Sequence, residues 1–408
     1  MLRSRFYLFT RPADIEALLT ANGYDVVKGR GLRMMRALLG LGLLTSDEPL
    51  HLAQRRLVQP AFARDRMPAY AATMAALSMQ AVDAELRDGT TVVLDVFLNR
   101  LALRIAADTL FGANVDADAA SIARSIDRAM AIFPAAMHPV GSVLRALPFH
   151  PVARRFREVR AELDRVVYRL IATRRAEGTD RGDLLSRLLT ARDEGGAGMT
   201  DEQVRDEVVT LLLAGHETTA NALVWALDQL ARTPAALAAL EAELDTVLGD
   251  RDPAPADVPA LRCARDVIAE ALRLRPPAWI LGRRTTCDVR IGDWTLPKGA
   301  IAIAAPLLTH RDPALWREPE AFRPERWSNG ETDGLPRYAY RPFGGGNRVC
   351  IGEAFAWTEA VLMLAAVVHR VRLTPVDPSP LPLAPIITLR PGRPVLMRVE
   401  ARRQPVPV

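Results

Sequence analysis

A mainly α-helical protein with small β-sheets is what three observations on this sequence predict. Apolar residues recur at helical spacing through most of the chain, strand-like runs are confined to three short places, and the connections are short turns bearing proline and glycine. Helical periodicity runs over residues 11–22, 68–87, 94–111, 119–132, 152–177 and 234–248, and a further amphipathic stretch covers 353–369. The strand candidates are 5–10, 289–304 with Gly292-Asp293 and Pro297-Lys298-Gly299 as turns, and 385–399 around Pro391-Gly392. They are expected to pair into a small sheet beside the helices. Residues 194–198 read as a flexible glycine-rich loop and 133–149 as a proline-interrupted region. No repeat, low-complexity linker or composition break divides the 408 residues, so 1–408 is predicted to be one domain.

Composition agrees with a large buried core and narrows the function classes. The chain is 49% hydrophobic and has only three cysteines, which excludes a disulfide framework and points to a reducing, cytoplasmic setting. No run of 18 or more apolar residues is present to span a bilayer, and residues 1–11 are too short for a signal peptide. The 53 basic and 48 acidic residues are well mixed, without the basic runs of a nucleic-acid tail. The excess of +5 is either ordinary solvated surface or a basic patch for an acidic protein partner.

The longest helix is predicted between Thr200 and Pro234. Thr200-Asp-Glu-Gln203 has the form of a capping box, and apolar residues then recur from Val204 to Leu230. A helix of this length suits the centre of the molecule. In its middle stands Ala214-Gly215-His216-Glu217-Thr218-Thr219, where an acid and hydroxyls interrupt the apolar face. Gly215 permits close approach of a ligand, and Thr218 can bond back to a preceding carbonyl and loosen the helix into a groove. Simple back-bonding is the plainer reading of a mid-helix Thr-Thr pair. A zinc-protease motif fails, because Ala220 stands where its second histidine is needed.

Cys350 lies in Phe343-Gly-Gly-Gly346-Asn-Arg348-Val-Cys350-Ile-Gly352, a glycine-rich loop followed by a helix. Glycines suit a loop pressed against a flat ligand, and the unpaired N–H groups of a helix start favour thiolate over thiol. A solitary cysteine is more often a small buried hydrophobe. A phosphate loop would need Gly-Lys-Ser/Thr, a dinucleotide fingerprint would need glycine or alanine at Val349, and zinc would need paired ligands nearby. The whole string fits Phe-x-x-Gly-x-Arg-x-Cys-x-Gly and resembles the haem-binding loop of the cytochrome P-450 family. The Ala214–Thr219 hexapeptide resembles that family's oxygen-activation segment. Glu270-Ala-Leu-Arg273, elsewhere an ordinary solvated ion pair, together with Phe322-Arg-Pro-Glu-Arg326-Trp327 resembles its buried Glu-x-x-Arg lock.

The resemblance implies a triangular prism of helices around haem b, with the Cys350 thiolate on the iron. It implies that Phe343, Gly344, Arg348, Gly352, Ala214 and Gly215 contact the cofactor and that His51, Arg55 and Arg283 anchor its carboxylates, Arg284 being an alternative to Arg283. Glu217 and Thr218 would deliver protons to dioxygen, the co-substrate, while Glu270, Arg273 and Arg326 would be structural. The pocket would be lined by residues 24–44 as a loop, by 133–149, by Leu211 and Ala214, by Trp279, Ile280 and Leu281, and by 385–387 with Ile386. Such a lining suits a lipophilic substrate, with terpenoid, fatty acid and polyketide all fitting. Electrons would pass from NAD(P)H through a separate ferredoxin reductase and ferredoxin, docking on Arg341, Arg348, Arg56 and Arg64. A peroxide-driven enzyme and a non-enzymatic haem-binding protein are the rival readings. Relative to the family the chain starts almost at its second strand, so residues 5–10 are expected to have an open edge through a late or trimmed start.

Overall fold

A computed structural model describes residues 5–112, 125, 128, 151–192, 196 and 198–402. The expectations for 119–132 and 133–149 therefore lie outside the described residues, as does most of the predicted 194–198 loop.

Helices dominate, and their ends follow local chemistry. Proline, whose missing N–H costs nothing in the first turn, stands at the start of α1 (Pro12–Thr20), α4 (Met67–Glu85) and the helix Pro234–Leu248. Short helices α2 (Arg30–Leu39) and α3 (Leu50–Val58) lie between the first two of these. Gly112 closes α5 (Leu94–Phe111) in the left-handed conformation. Next come α6 (Pro151–Glu177) and α7 (Leu184–Thr190). The central helix α8 (Asp201–Arg232) opens on the predicted capping box, with Thr200 N–H donating to Gln203 Oε1 at 2.8 Å and Gln203 N–H to Thr200 Oγ1 at 3.2 Å. It is followed by α9 (Pro234–Leu248), α10 (Arg262–Leu274) and α11 (Glu353–Arg370). Helix α8 packs on α5, α6, α10 and α11, and nearly all of it is buried in one large apolar core.

The strands form several small sheets. The largest, in the order β1-β7-β4-β2, pairs β1 (Phe6–Phe9) parallel with β7 (Ile301–Ala304). β4 (Leu281–Thr285) then runs antiparallel between β7 and β2 (Val26–Lys28). A second apolar cluster joins this sheet to α1. β5 (Val289–Ile291) and β6 (Trp294–Leu296) form a separate hairpin across Gly292-Asp293. The predicted 385–399 hairpin is corrected: β9 (Leu383–Pro385) pairs with β10 (Leu389–Pro391), and after Gly392 the chain leaves for another sheet. There β11 (Leu396–Ala401) lies between β3 (Thr91–Val93) and β8 (Val371–Pro375). Residues 24–44 are not a loop either, since they contain β2 and α2. Among the described residues β1 pairs on one side only, and Phe6 and Leu8 on it are 70% and 58% exposed.

Candidate active site

From Val204 to Asp228 every residue of α8 is buried except Ala214, Gly215 and Thr218. These sit at i, i+1 and i+4, one patch of one face, so a central helix shows surface at one window only. A side chain at Gly215 would meet nothing nearer than Ala106 Cβ at 3.8 Å, so the window is open. The threonines do back-bond: Thr218 Oγ1 donates to Ala214 O at 2.7 Å and Thr219 Oγ1 to Gly215 O at 3.2 Å. Thr219 shares that one proton with Glu359 Oε2 on α11, the shorter contact at 2.8 Å, which ties the window to the helix that follows Cys350.

Glu217 is turned away from the window and is 2% exposed. Its Oε1 accepts from Arg390 Nε at 2.8 Å and from Thr388 Oγ1. Burial would raise its pKa, but Arg390, Thr388 and His216 overcome that and hold it below the usual carboxylate range. Glu217 is thus a tethered carboxylate. Neither Arg390 nor Thr388 could be paired with it from sequence, lying far along the chain in the β9–β10 region.

The cysteine loop is folded on itself, with Val349 N–H donating to Gly346 O at 3.1 Å and Cys350 N–H to Phe343 O at 3.0 Å. Its glycines have different reasons. Gly346, at φ 65°, faces α1 so closely that a Cβ would fall 2.0 Å from Leu19 O, and one at Gly345 would strike the Tyr338 ring. A Cβ at Gly344, by contrast, would meet only Leu281 Cδ1 at 3.6 Å. Close approach to a ligand is thus a reason open to Gly344 and not to all three. Phe343 packs against Trp357 at 5.8 Å, and Gly352 faces Phe62. Cys350 is exposed. Burial pushes its thiol up and Glu353 adds to this, while Gly352 N–H and Arg55 pull it down, the direction in which the helix start was expected to act.

Beside the loop lies a crowd of buried cations. Arg348 Nη1 donates to Ser46 O at 2.7 Å, and Arg55 Nη1 to Val349 O at 2.8 Å. Arg348 is thus directed inward, which removes it from the expected docking face. Arg283 is buried and Arg284 exposed, so of the two only Arg283 points inside. Lys28, which sequence reasoning missed, is directly opposite Arg283 in the β2–β4 register and is 6% exposed. Burial, Arg283 and Arg348 push the Lys28 ammonium well below its ordinary range. Burial and Arg348 bring Arg283 down to about 10. Burial, Arg348 and Lys28 bring His51 down to about 4, although its Nδ1 is 2.9 Å from Glu48 Oε1. Asp47 and Glu48 offset only part of this positive charge. Buried like charges at such closeness leave room for an anion.

Below the loop, Glu270 and Arg273 are both 0% exposed and bonded bidentately at 2.8 and 2.9 Å. Arg326 Nε, Trp327 Nε1 and Arg323 N–H, each at 3.0 Å, complete the carboxylate, while Arg273 donates to the carbonyls of His310, Pro319 and Ala321. This is a buried hub, not a solvated pair.

Of the expected pocket residues, Leu211 is buried one turn before the window, and Trp279 Nε1 donates to Ile386 O at 3.3 Å. Leu281 reaches the cysteine loop from β4. Ile280 is 38% exposed, and Tyr24, at 60%, lies on the outer surface.

The family model described as cytochrome P450 matches residues 2–397. The chain belongs to the cytochrome P450 family. Cyclooctatin synthase of Streptomyces melanosporofaciens is 41% identical over 97% of this chain and 86% of its own length. Cyclooctat-9-en-7-ol 5-monooxygenase of the same organism is 37% identical over 91% of this chain and 81% of its own. Pentalenene oxygenase of Streptomyces avermitilis is 38% identical over 84% and 76%. The chain is accordingly a cytochrome P450 monooxygenase that uses haem b and dioxygen. Haem b fits the residues present: one sulfur for the iron, and buried cations short of anionic partners for its carboxylates. Among the described residues no helix is long and apolar enough to cross a membrane.

Proposed function

We propose that this P450 hydroxylates a carbocyclic terpenoid, with Cys350 as the iron ligand and the window at Ala214, Gly215 and Thr218 bordering the side where oxygen and substrate meet. The observation that carries the residue assignment is that window, the only accessible stretch of α8 between Val204 and Asp228. The terpenoid lean rests on relatives named for cyclooctat-9-en-7-ol and pentalenene, an alkenol and an alkene by those names. The apolar lining at Leu211, Trp279, Leu281 and Ile386 agrees with it.

Haem b, when bound, supplies the iron at which dioxygen is activated. Lys28, Arg283 and Arg348, with His51 and Arg55, would hold its carboxylates as hydrogen-bond donors. Thr218 holds a proton at Oγ1, oriented by its bond to Ala214 O. Glu217, ionised on Arg390, accepts and passes protons toward Thr218 only when that ion pair opens. The apolar wall excludes water and holds the substrate by shape. Overall one oxygen atom enters a C–H bond and the other leaves as water, which consumes two electrons and two protons. A ferredoxin with its reductase supplies the electrons, docking on exposed Arg56 and Arg64. The three free cysteines suit a cytoplasmic enzyme.

The test combines the reduced carbon-monoxide spectrum with product analysis. Thiolate ligation should vanish in Cys350→Ala, and ferredoxin-driven turnover of a panel of terpenoids, fatty acids and polyketides should yield hydroxylated terpenoids. Products from fatty acids alone would reject the terpenoid reading, and full activity with peroxide alone would favour a peroxide-driven enzyme.

A further inference from the structure

The docking assigned above to Arg56 and Arg64 leaves open where the electron crosses into the cysteine loop. Two aromatic rings stand on such a path. Phe343 precedes the three glycines, and its carbonyl accepts the Cys350 N–H at 3.0 Å. Its ring packs on Trp357 of α11, with centroids 5.8 Å apart and planes tilted by 52°. Both residues are half-buried, so the pair leads from the backbone beside the sulfur to the molecular surface.

Trp357 is placed differently from the buried indoles. Trp225, Trp316 and Trp327 donate their N–H groups to Leu389 O, Thr309 O and Glu270. Among the described residues Trp357 Nε1 has no acceptor and is not sealed in, so it is free to donate outward. The face of its ring is covered by the Arg265 guanidinium, 4.4 Å from the centroid. Arg265 is exposed and, among the described residues, has no carboxylate within ion-pair distance; the same holds for Arg262, three residues earlier. Both lie in the first turn of α10, at the positive end of the helix dipole, where a cation weakens the helix. Glu243 is taken up by the Cys263 and Ala264 N–H groups of that turn. Stability of the fold therefore does not explain these two arginines, and an acidic partner does.

We propose that Arg265 and Trp357 are the landing point of the iron–sulfur electron donor, and that the electron enters the cysteine loop through Trp357 and Phe343. A carboxylate of the donor pairs with Arg265, which brings the donor over the edge of the indole. One electron then leaves the donor's reduced cluster, which is oxidised, and reduces the ferric haem; no proton moves and no bond forms or breaks. Trp357 is a positioning residue, acting through Phe343. The inference rests on the ferredoxin reading above.

The test mixes the haem-loaded enzyme with a reduced two-iron ferredoxin under carbon monoxide and follows the ferrous spectrum by stopped flow, beside calorimetric binding of the oxidised ferredoxin. Trp357→Leu should slow reduction several-fold even at saturating ferredoxin, whereas Trp357→Phe, which keeps a ring on Phe343, should retain most of the rate. Arg265→Gln should weaken binding and flatten its salt dependence. Arg265→Glu, an exposed change that keeps the test open where Trp357→Leu folds poorly, should weaken binding further. Dithionite, a small reductant that needs no landing point, should reduce parent and variants alike, at an unchanged haem potential. An unaltered limiting rate in Trp357→Leu, or unaltered binding in Arg265→Glu, would overturn the proposal. Equal slowing with dithionite, or a shifted potential, would assign the ring to support of the loop and overturn it too. A parent that accepts no electron from ferredoxin would remove the ferredoxin reading as well, whereas normal transfer in parent and variants would remove the landing point alone.

Discussion

Lys28 on β2 stands in register with Arg283 on β4, two buried cations directly opposed across an antiparallel pair. Such a pair repels unless an anion lies between them, so its cost belongs to the cofactor-free protein and its benefit to the loaded one. Lys28→Met should therefore raise the melting temperature of the cofactor-free protein and speed haem loss from the loaded enzyme. Thermal unfolding of the first and transfer of haem from the second to a scavenging apoglobin measure the two signs. The Lys28 ammonium is lowered in the folded state, where it binds fewer protons than unfolded lysine. The cofactor-free parent should thus gain stability as pH rises toward the lysine range, and the variant should lose that slope.

Glu359 on α11 is 0% exposed, and its Oε1 has no partner. Burial raises its carboxyl to about 8, against the bond from Thr219. The folded protein keeps this proton where the unfolded chain has lost it. Its contribution is full below the ordinary glutamate range, near 4.5, and declines as pH rises to about 8. Glu359→Gln should match the parent near pH 5 and melt a few degrees higher at pH 8. An unchanged difference across that range would mean the carboxyl is ionised in the fold.

The opposite sign holds for Glu217, whose lowered pKa means stability present above the ordinary glutamate range and lost as acid protonates it. Arg390→Met removes the partner and strands a buried charge. The variant should lose stability at pH 7 and recover part of it on acidification toward pH 5. Melting curves of parent and variant over that interval give the comparison.

At the Glu270 hub, Glu270→Ala leaves Arg273 and Arg326 buried without their carboxylate. The loss should be about 3–5 kcal/mol, read as a shifted urea midpoint or failure to accumulate folded protein. A cost under about 1 kcal/mol, the value of a surface pair, would show that the hub is wet.

Long elements were legible because many periods average out local noise. Residues 94–111 and 234–248 match helices at both ends, and the Thr200–Gln203 box marks where the central helix begins. Depth was not legible: the spacing of Glu270 and Arg273 is the same on a wet surface as in the hub. Strand β2 is three residues long, too short for alternation to register, and Lys28 went unseen with it. Glu217 was recognised but its state was not, since that depends on Arg390 and Thr388 from a distant hairpin. Likewise a run of glycines looks uniform in sequence, although Tyr338 and the α1 backbone claim two of the three.

That last contact reaches beyond the loop it shapes. Gly346 is pressed to Leu19 O, so two segments far apart in sequence meet at the turn that presents Cys350. The turn is closed by its own bonds and by Arg55, but the wall it rests on is the end of α1. A change that shifts Leu19 would therefore be felt at the sulfur, far away along the chain.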